Sequence, residues 1–100
     1  MTPVFWTEAA LTQLTAIRDY IGQTSPVYAG RMIDRILARG TQLTHFPNSG
    51  RHVPERPDPT LREVLEGPYR VIYRARPDRV EVLAVVHGRR ADLGLPESSE

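Results

Sequence analysis

Apolar residues recur along this chain at two different periods, and the change falls near residue 60. Ala10, Leu14, Ile17 and Ile21 follow one another at spacings of four, three and four, and Leu11 widens the stripe. That pattern predicts an amphipathic helix of roughly four turns. Thr7 stands at the N-cap position, with Glu8 in the first turn, where the helix dipole favours negative charge. The apolar run Val4–Trp6 before it reads as a short strand. A break at residues 22–24 is followed by Ser25-Pro26, a cap with proline at the first helical position. Ala29, Ile33, Ile36, Gly40 and Leu43 then form a second helical seam. Gly40 inside a helix costs roughly 1 kcal/mol relative to Ala. Either the helix frays or breaks there, or the missing side chain permits close approach to the first helix, and close approach is the favoured reading. Two such helices with a short link predict an antiparallel hairpin.

Residues 45–59 hold four prolines and the segment Pro47-Asn48-Ser49-Gly50-Arg51, and predict a loop. Beyond it the period becomes two. Residues 61–65, 69–76 and 80–87 read as strands, joined by Gly67-Pro68 and by Pro77-Asp78-Arg79. Strict alternation puts Tyr69, Val71, Tyr73 and Ala75 on one face with Val80, Val82, Ala84 and Val86, buried beneath the helices. If Ala75 pairs with Val80, Tyr73 meets Val82 and Val71 meets Ala84. The opposite face would carry Arg70, Ile72, Arg74 and Arg76 beside Glu81, Leu83, Val85 and His87. There Arg74 lies across from Glu81 as a cross-strand ion pair, Ile72 from Leu83, and Arg70 from Val85. Half apolar and half basic, this face fits neither full solvation nor unaided burial. Either a partner covers it or the 45–59 loop folds over it. The strand at 61–65 has two readings. A two-residue turn places Arg62 and Val64 under the helices; a three-residue turn places Leu61, Glu63 and Leu65 there.

Composition narrows the chemistry. One hundred residues make one domain, read as 1–90, followed by a polar tail at 91–100. No apolar run approaches the roughly 20 residues that span a bilayer. No basic-then-apolar leader opens the chain, so a cytoplasmic protein is expected. Cysteine is absent, which excludes disulfides, thiol nucleophiles and Cys-ligated zinc. Lysine is absent too, so all 13 basic side chains are Arg. Side-chain binding of an anion must then use the forked guanidinium or a protonated His. The net charge is +1, with nine Arg against six acids in residues 51–90 and three acids in residues 91–100. That is a locally basic middle, not the profile of a dedicated nucleic-acid binder. His45, His52 and His87 show no ligand spacing, no serine has the setting of a nucleophile, and no Gly-rich phosphate loop occurs. Neither metal nor cofactor is expected. One constellation stays open. Glu55, Arg70 and His87, if they converge, supply a general base, a cation and a general acid for metal-free cleavage of an RNA backbone. In the plain alternative Glu55 pairs with a nearby Arg, Arg70 braces the loop and His87 ends a strand.

The order of these features resembles a known family. The residues are Trp6-Thr7 with Ala10, Leu14, Ile17 and Tyr20-Ile21; Ser25-Pro26 with Ala29; Pro47-x-x-Gly50-Arg51; Arg62; Tyr69-Arg70-Val71-Ile72-Tyr73; and Val80 to His87 with Arg90. Together they resemble the ParE/RelE toxin superfamily of type II toxin–antitoxin systems, and its ParE-like members most. The resemblance implies an α+β fold: an N-terminal strand and an antiparallel helical hairpin packed on a small antiparallel sheet of about three to four strands. It implies a cognate ParD- or RelB-like antitoxin that wraps the toxin in a hetero-oligomer. Candidate docking residues, for antitoxin or target, are Arg51, Arg62, Arg70, Ile72, Arg74, Leu83, Arg89 and Arg90. ParE-type members poison DNA gyrase; RelE-type members cut mRNA in the ribosome. The YoeB-type ribonucleases use Glu, Arg and a terminal His-Tyr pair. Glu55 and Arg70 fall where that pattern places its Glu and Arg, but His87 is slightly displaced and no Tyr follows Tyr73. A ParE-like gyrase poison is therefore the leading expectation. A ribosome-dependent endoribonuclease acting through Glu55, Arg70 and His87 is the alternative, and a non-toxic module of a repressor complex is a further one.

Overall fold

A computed structural model describes residues 1–89 and 93–95. The elements run β1 (Val4–Trp6), α1 (Glu8–Gly22), α2 (Pro26–His45), β2 (Arg51–His52), β3 (Leu61–Glu66), β4 (Tyr69–Ala75) and β5 (Val80–His87). The strands form one five-stranded sheet in the order β1-β5-β4-β3-β2. β1 is parallel to β5, and the remaining pairs are antiparallel. The sheet has one strand more than the sequence pattern implies, because Arg51 and His52 pair with Glu63 and Arg62 at its edge. Two residues are too few for alternation to announce a strand.

Both helix starts are capped as their sequences predict. The Thr7 hydroxyl accepts from Ala10 N–H and the Ser25 hydroxyl from Tyr28 N–H, each at 3.1 Å. Leu14 of α1 is buried, whereas Leu11 is exposed and does not widen the packed stripe. α2 runs unbroken through Gly40. A Cβ at Gly40 would stand 2.9 Å from Cζ2 of Trp6, so the close neighbour is the indole of β1 and not the first helix.

The sheet buries residues on both faces. Beneath the helices lie Val64, Tyr69, Val71, Tyr73, Val80, Val82 and Val85, with Leu14, Met32, Ile36 and Leu43 above them. On the far face Val53, Leu61, Ile72, Ala84, Val86 and Leu93 form a second cluster, with Leu83 and Leu95 packed against it. Strict alternation along β5 fails at Leu83. Tyr73 pairs with Val82 but Ile72 pairs with Ala84, so Leu83 is the extra residue of a β-bulge. Val85, not Ala84, meets Val71, and Ala84 and Val86 belong to the far face. Gly67-Pro68 makes a two-residue turn, with Glu66 opposite Tyr69 and Gly67 at φ +54°. That resolves β3: Val64 enters the helix-side core, and Leu61 faces the second cluster. Leu93 is buried there as well.

β1 pairs with β5 only as far as Val82, because the chain then turns into α1. Side chains of that turn and helix take over the edge. The Thr7 hydroxyl donates to Leu83 C=O at 3.4 Å, and Gln13 Oε1 accepts from Val85 N–H at 2.7 Å. A polar glutamine thus satisfies a donor that no strand reaches.

Candidate functional site

The far face of β3 and β4 carries a chain of alternating charges. Arg70 reaches it from β4 because it shares the Ile72 face, and Glu63 reaches it from β3 for the same reason of parity. Arg70 Nε donates to Glu63 Oε1 at 2.7 Å. Its two terminal nitrogens donate to Glu55 Oε2 and Oε1 at 2.9 and 2.8 Å, a bidentate fork. The other oxygen of Glu63 accepts from Arg51 of β2 at 2.6 Å. The order is Arg51, Glu63, Arg70, Glu55. Glu63 and Arg70 are both buried, and each has an opposite charge within hydrogen-bond reach, which is the condition for keeping charges away from water. The hydrogen bond from Arg70 holds the Glu55 carboxyl below its ordinary value, and the same pair raises Arg70 above its own.

Glu55 arrives on the loop that follows β2, and contacts on either side hold that segment in place, at Asn48 and Gly50 before β2 and at Asp58 after it. Gly50 N–H donates to the Tyr73 hydroxyl at 2.9 Å, and burial raises the Tyr73 pKa. No other residue fits at Gly50, since a Cβ would lie 2.6 Å from the Glu63 carbonyl oxygen. Arg62 donates to the Gly50 carbonyl at 2.7 Å and to that of Asn48 at 3.3 Å. Asp58 accepts from the Thr60 hydroxyl and backbone N–H and from Arg74 at 2.8 Å, which lowers its pKa to about 2. Between the two readings of the mixed face, the loop itself covers it.

These contacts revise the predicted docking set residue by residue. Ile72 has no exposed surface and belongs to the second core. Leu83 is half-buried at the bulge, against the same core. Arg74 sits across from Glu81 in the ladder but pairs with Asp58, while Glu81 takes Arg76 and Arg79. Arg62 clamps the loop. Arg51 and Arg89 are exposed. Arg90 lies outside the described residues. Glu63, the hub of the network, was not singled out from sequence; its signal was the parity it shares with Arg70 once a two-residue turn is assigned.

Glu55, Arg70 and His87 do meet around one cleft of about 440 Å³, which Arg51, Pro54, Leu65, Pro68, Tyr69 and Arg89 also help to line. His87 packs edge-on against Tyr69 at 5.7 Å, and its Nδ1 accepts from Arg89 N–H at 3.2 Å. As arranged, the three do not form an acid–base set. The Glu55 carboxylate is held in the guanidinium fork, and Arg70 points all three of its nitrogens at carboxylates. Tyr69 and His87 also border a second groove, of about 370 Å³, between α1 and β5. Among the described residues no group of three His, Asp or Glu could hold a metal ion, and no helix is long and apolar enough to cross a membrane.

A family model described as the ParE toxin of the type II toxin–antitoxin system parDE matches residues 4–92. The chain belongs to this ParE toxin family. A relative named Toxin RelE2, from Caulobacter vibrioides, is 41% identical over 91 residues, which span 90% of this chain and 99% of the relative. A solved structure titled "Chromosomal ParDE TA system from P. aeruginosa" superposes with a TM-score of 0.72 at 26% identity, covering 87% of this chain and 96% of that one. The ParE-family fold thus accounts for the helical hairpin, the sheet and the N-terminal strand together. In this ParE-family toxin Glu55 and Arg70 are tied to each other in the charge network, and His87 stands outside it against Tyr69.

Proposed function

We propose that this toxin acts by binding DNA gyrase, without cleaving nucleic acid, and that a cognate ParD-like antitoxin neutralises it in the cytoplasm. The observation that carries the reading is the fork between Arg70 and Glu55. A general base must be free to take a proton, and a phosphate-binding cation must have donors to offer. Here each satisfies the other. Membership of the ParE family supports the same direction. Purified toxin is expected to inhibit supercoiling by gyrase in a dose-dependent way, and the antitoxin to relieve the inhibition. Unchanged supercoiling at saturating toxin would sink the proposal.

A ribosome-dependent ribonuclease is the second reading. It is favoured by the convergence of Glu55, Arg70 and His87 on one cleft and by the RelE name of the Caulobacter relative. It requires the loop to release Arg70 on the ribosome. Cuts in induced transcripts that vanish in His87→Ala would support it; intact transcripts would exclude it.

A further inference from the structure

Glu55 occupies Arg70 by the same two-point contact that a carboxylate from another molecule would make. The receiver is buried and the occupant is half exposed. The Arg70 side chain is 6% exposed, and its Nε is held by Glu63, which is held in turn by Arg51. Glu55 rides on a loop between Pro54 and Pro57, its side chain is 45% exposed, and Arg70 is its only hydrogen-bonding side-chain partner among the described residues. With Glu55 moved aside, Arg51, Arg70 and Arg89 would line the cleft, with the buried Glu63 behind Arg51 and Arg70.

The cleft also has a direction. Its Tyr69 and His87 wall continues into the groove lined by Ala16, Ile17, Tyr20 and Val85, where no Arg contributes. A polyanion such as a nucleic-acid strand would meet cations at one end only. A peptide with one acidic side chain beside apolar ones would find a match at both ends. We propose that Glu55 is an internal placeholder: a partner peptide puts its own carboxylate on the Arg70 fork in place of Glu55 and lays apolar side chains in the groove between α1 and β5. The proposal rests on the toxin–antitoxin reading only for who the partner is, an antitoxin segment.

The test is a titration of the full chain followed by NMR, reading the Arg70 Nε–H and the amides of Val85 and His87. The probes are a short synthetic peptide with one Glu flanked by leucines, the same peptide with Gln, and inorganic phosphate. The Glu peptide should shift all three signals, and the other two probes should not. Removing the internal competitor in Glu55→Gln should tighten the Glu peptide about fivefold, the scale of one half-exposed ion pair. Asp58→Asn loosens the same loop through Arg74 but leaves Glu55 in place, and should bind as the unmodified chain does. Equal binding of both peptides, a preference for phosphate, no gain in Glu55→Gln, or an equal gain in Asp58→Asn would each overturn the proposal. Supercoiling and growth assays report on the toxin reading separately. A chain that is inert in them but exchanges Glu55 for the peptide would retain this site and lose that reading.

Discussion

Arg70 and Glu55 share one ion pair but live in different surroundings, and substitution should separate them. Removing Arg70 leaves Glu63, which has no solvent-exposed side-chain surface, with Arg51 alone. Arg70→Ala is expected to destabilise the fold by about 3 kcal/mol, the low end of the range for removing one partner of a buried ion pair, because Arg51 still pairs with Glu63. Glu55→Gln removes a half-exposed carboxylate and keeps a hydrogen-bond acceptor, so its effect should stay within about 1 kcal/mol. Urea denaturation midpoints measure both, and equal losses would mean that Glu55 is as structural as Glu63. At this scale the sequence was legible in part. Glu55, Arg70 and His87 were identified as able to converge, and they do. Glu63 was passed over because an acid in a strand reads as solvent-facing until the strand on its other edge, Arg51–His52, is known. Ile72 reads as a contact residue from sequence because spacing alone does not decide whether a partner or the 45–59 loop covers its face; the fold supplies the loop, with Val53 packed into the same cluster.

Among the elements, the helices were the most legible and β5 the least. Helix period, Thr7 and Ser25-Pro26 are local signals, and each acts within a few residues of where it stands. A bulge has no such signature. Leu83 continues a run of apolar residues, and only the pairing of β5 with β4 and β1 shows that it is extra. Every face assignment after it shifted in consequence. This leads to an expectation about deletions. Removing Leu83 leaves Tyr73 opposite Val82 and Ile72 opposite Ala84, so the faces survive and the chain should still fold with a lowered melting temperature. Removing Ile72 from the regular strand β4 sends half of its side chains to the wrong face and should abolish cooperative unfolding. Thermal melts followed by circular dichroism distinguish the two. If the Leu83 deletion unfolds the protein as completely, the bulge is required for the fold itself.

At the scale of the whole molecule, the sheet is covered twice: by the helical hairpin on one side, and by the loop and residues 93–95 on the other. A small domain gains stability from burying both faces. Residues 93–95 therefore matter more than the polar composition around them implies. Leu93→Ser should cost about 2 kcal/mol, the value of one buried leucine side chain, visible as a lower denaturation midpoint. An unchanged midpoint would show that Leu93 contributes nothing to the second core. The local alternation of apolar and polar residues, the caps and the turn residues determined which elements form, since each depends on neighbours a few positions away. They also carried the family resemblance, which follows the order of those elements. What only the tertiary structure decided was how surfaces from distant segments meet: Trp6 against Gly40, the loop over Ile72, the bulge at Leu83, and Glu63 placed between two arginines. Those outcomes depend on chain closure and on burial, which remove water from charges that the linear pattern presents as solvent-facing, and they set whether Arg70 faces a ligand or a carboxylate of its own chain.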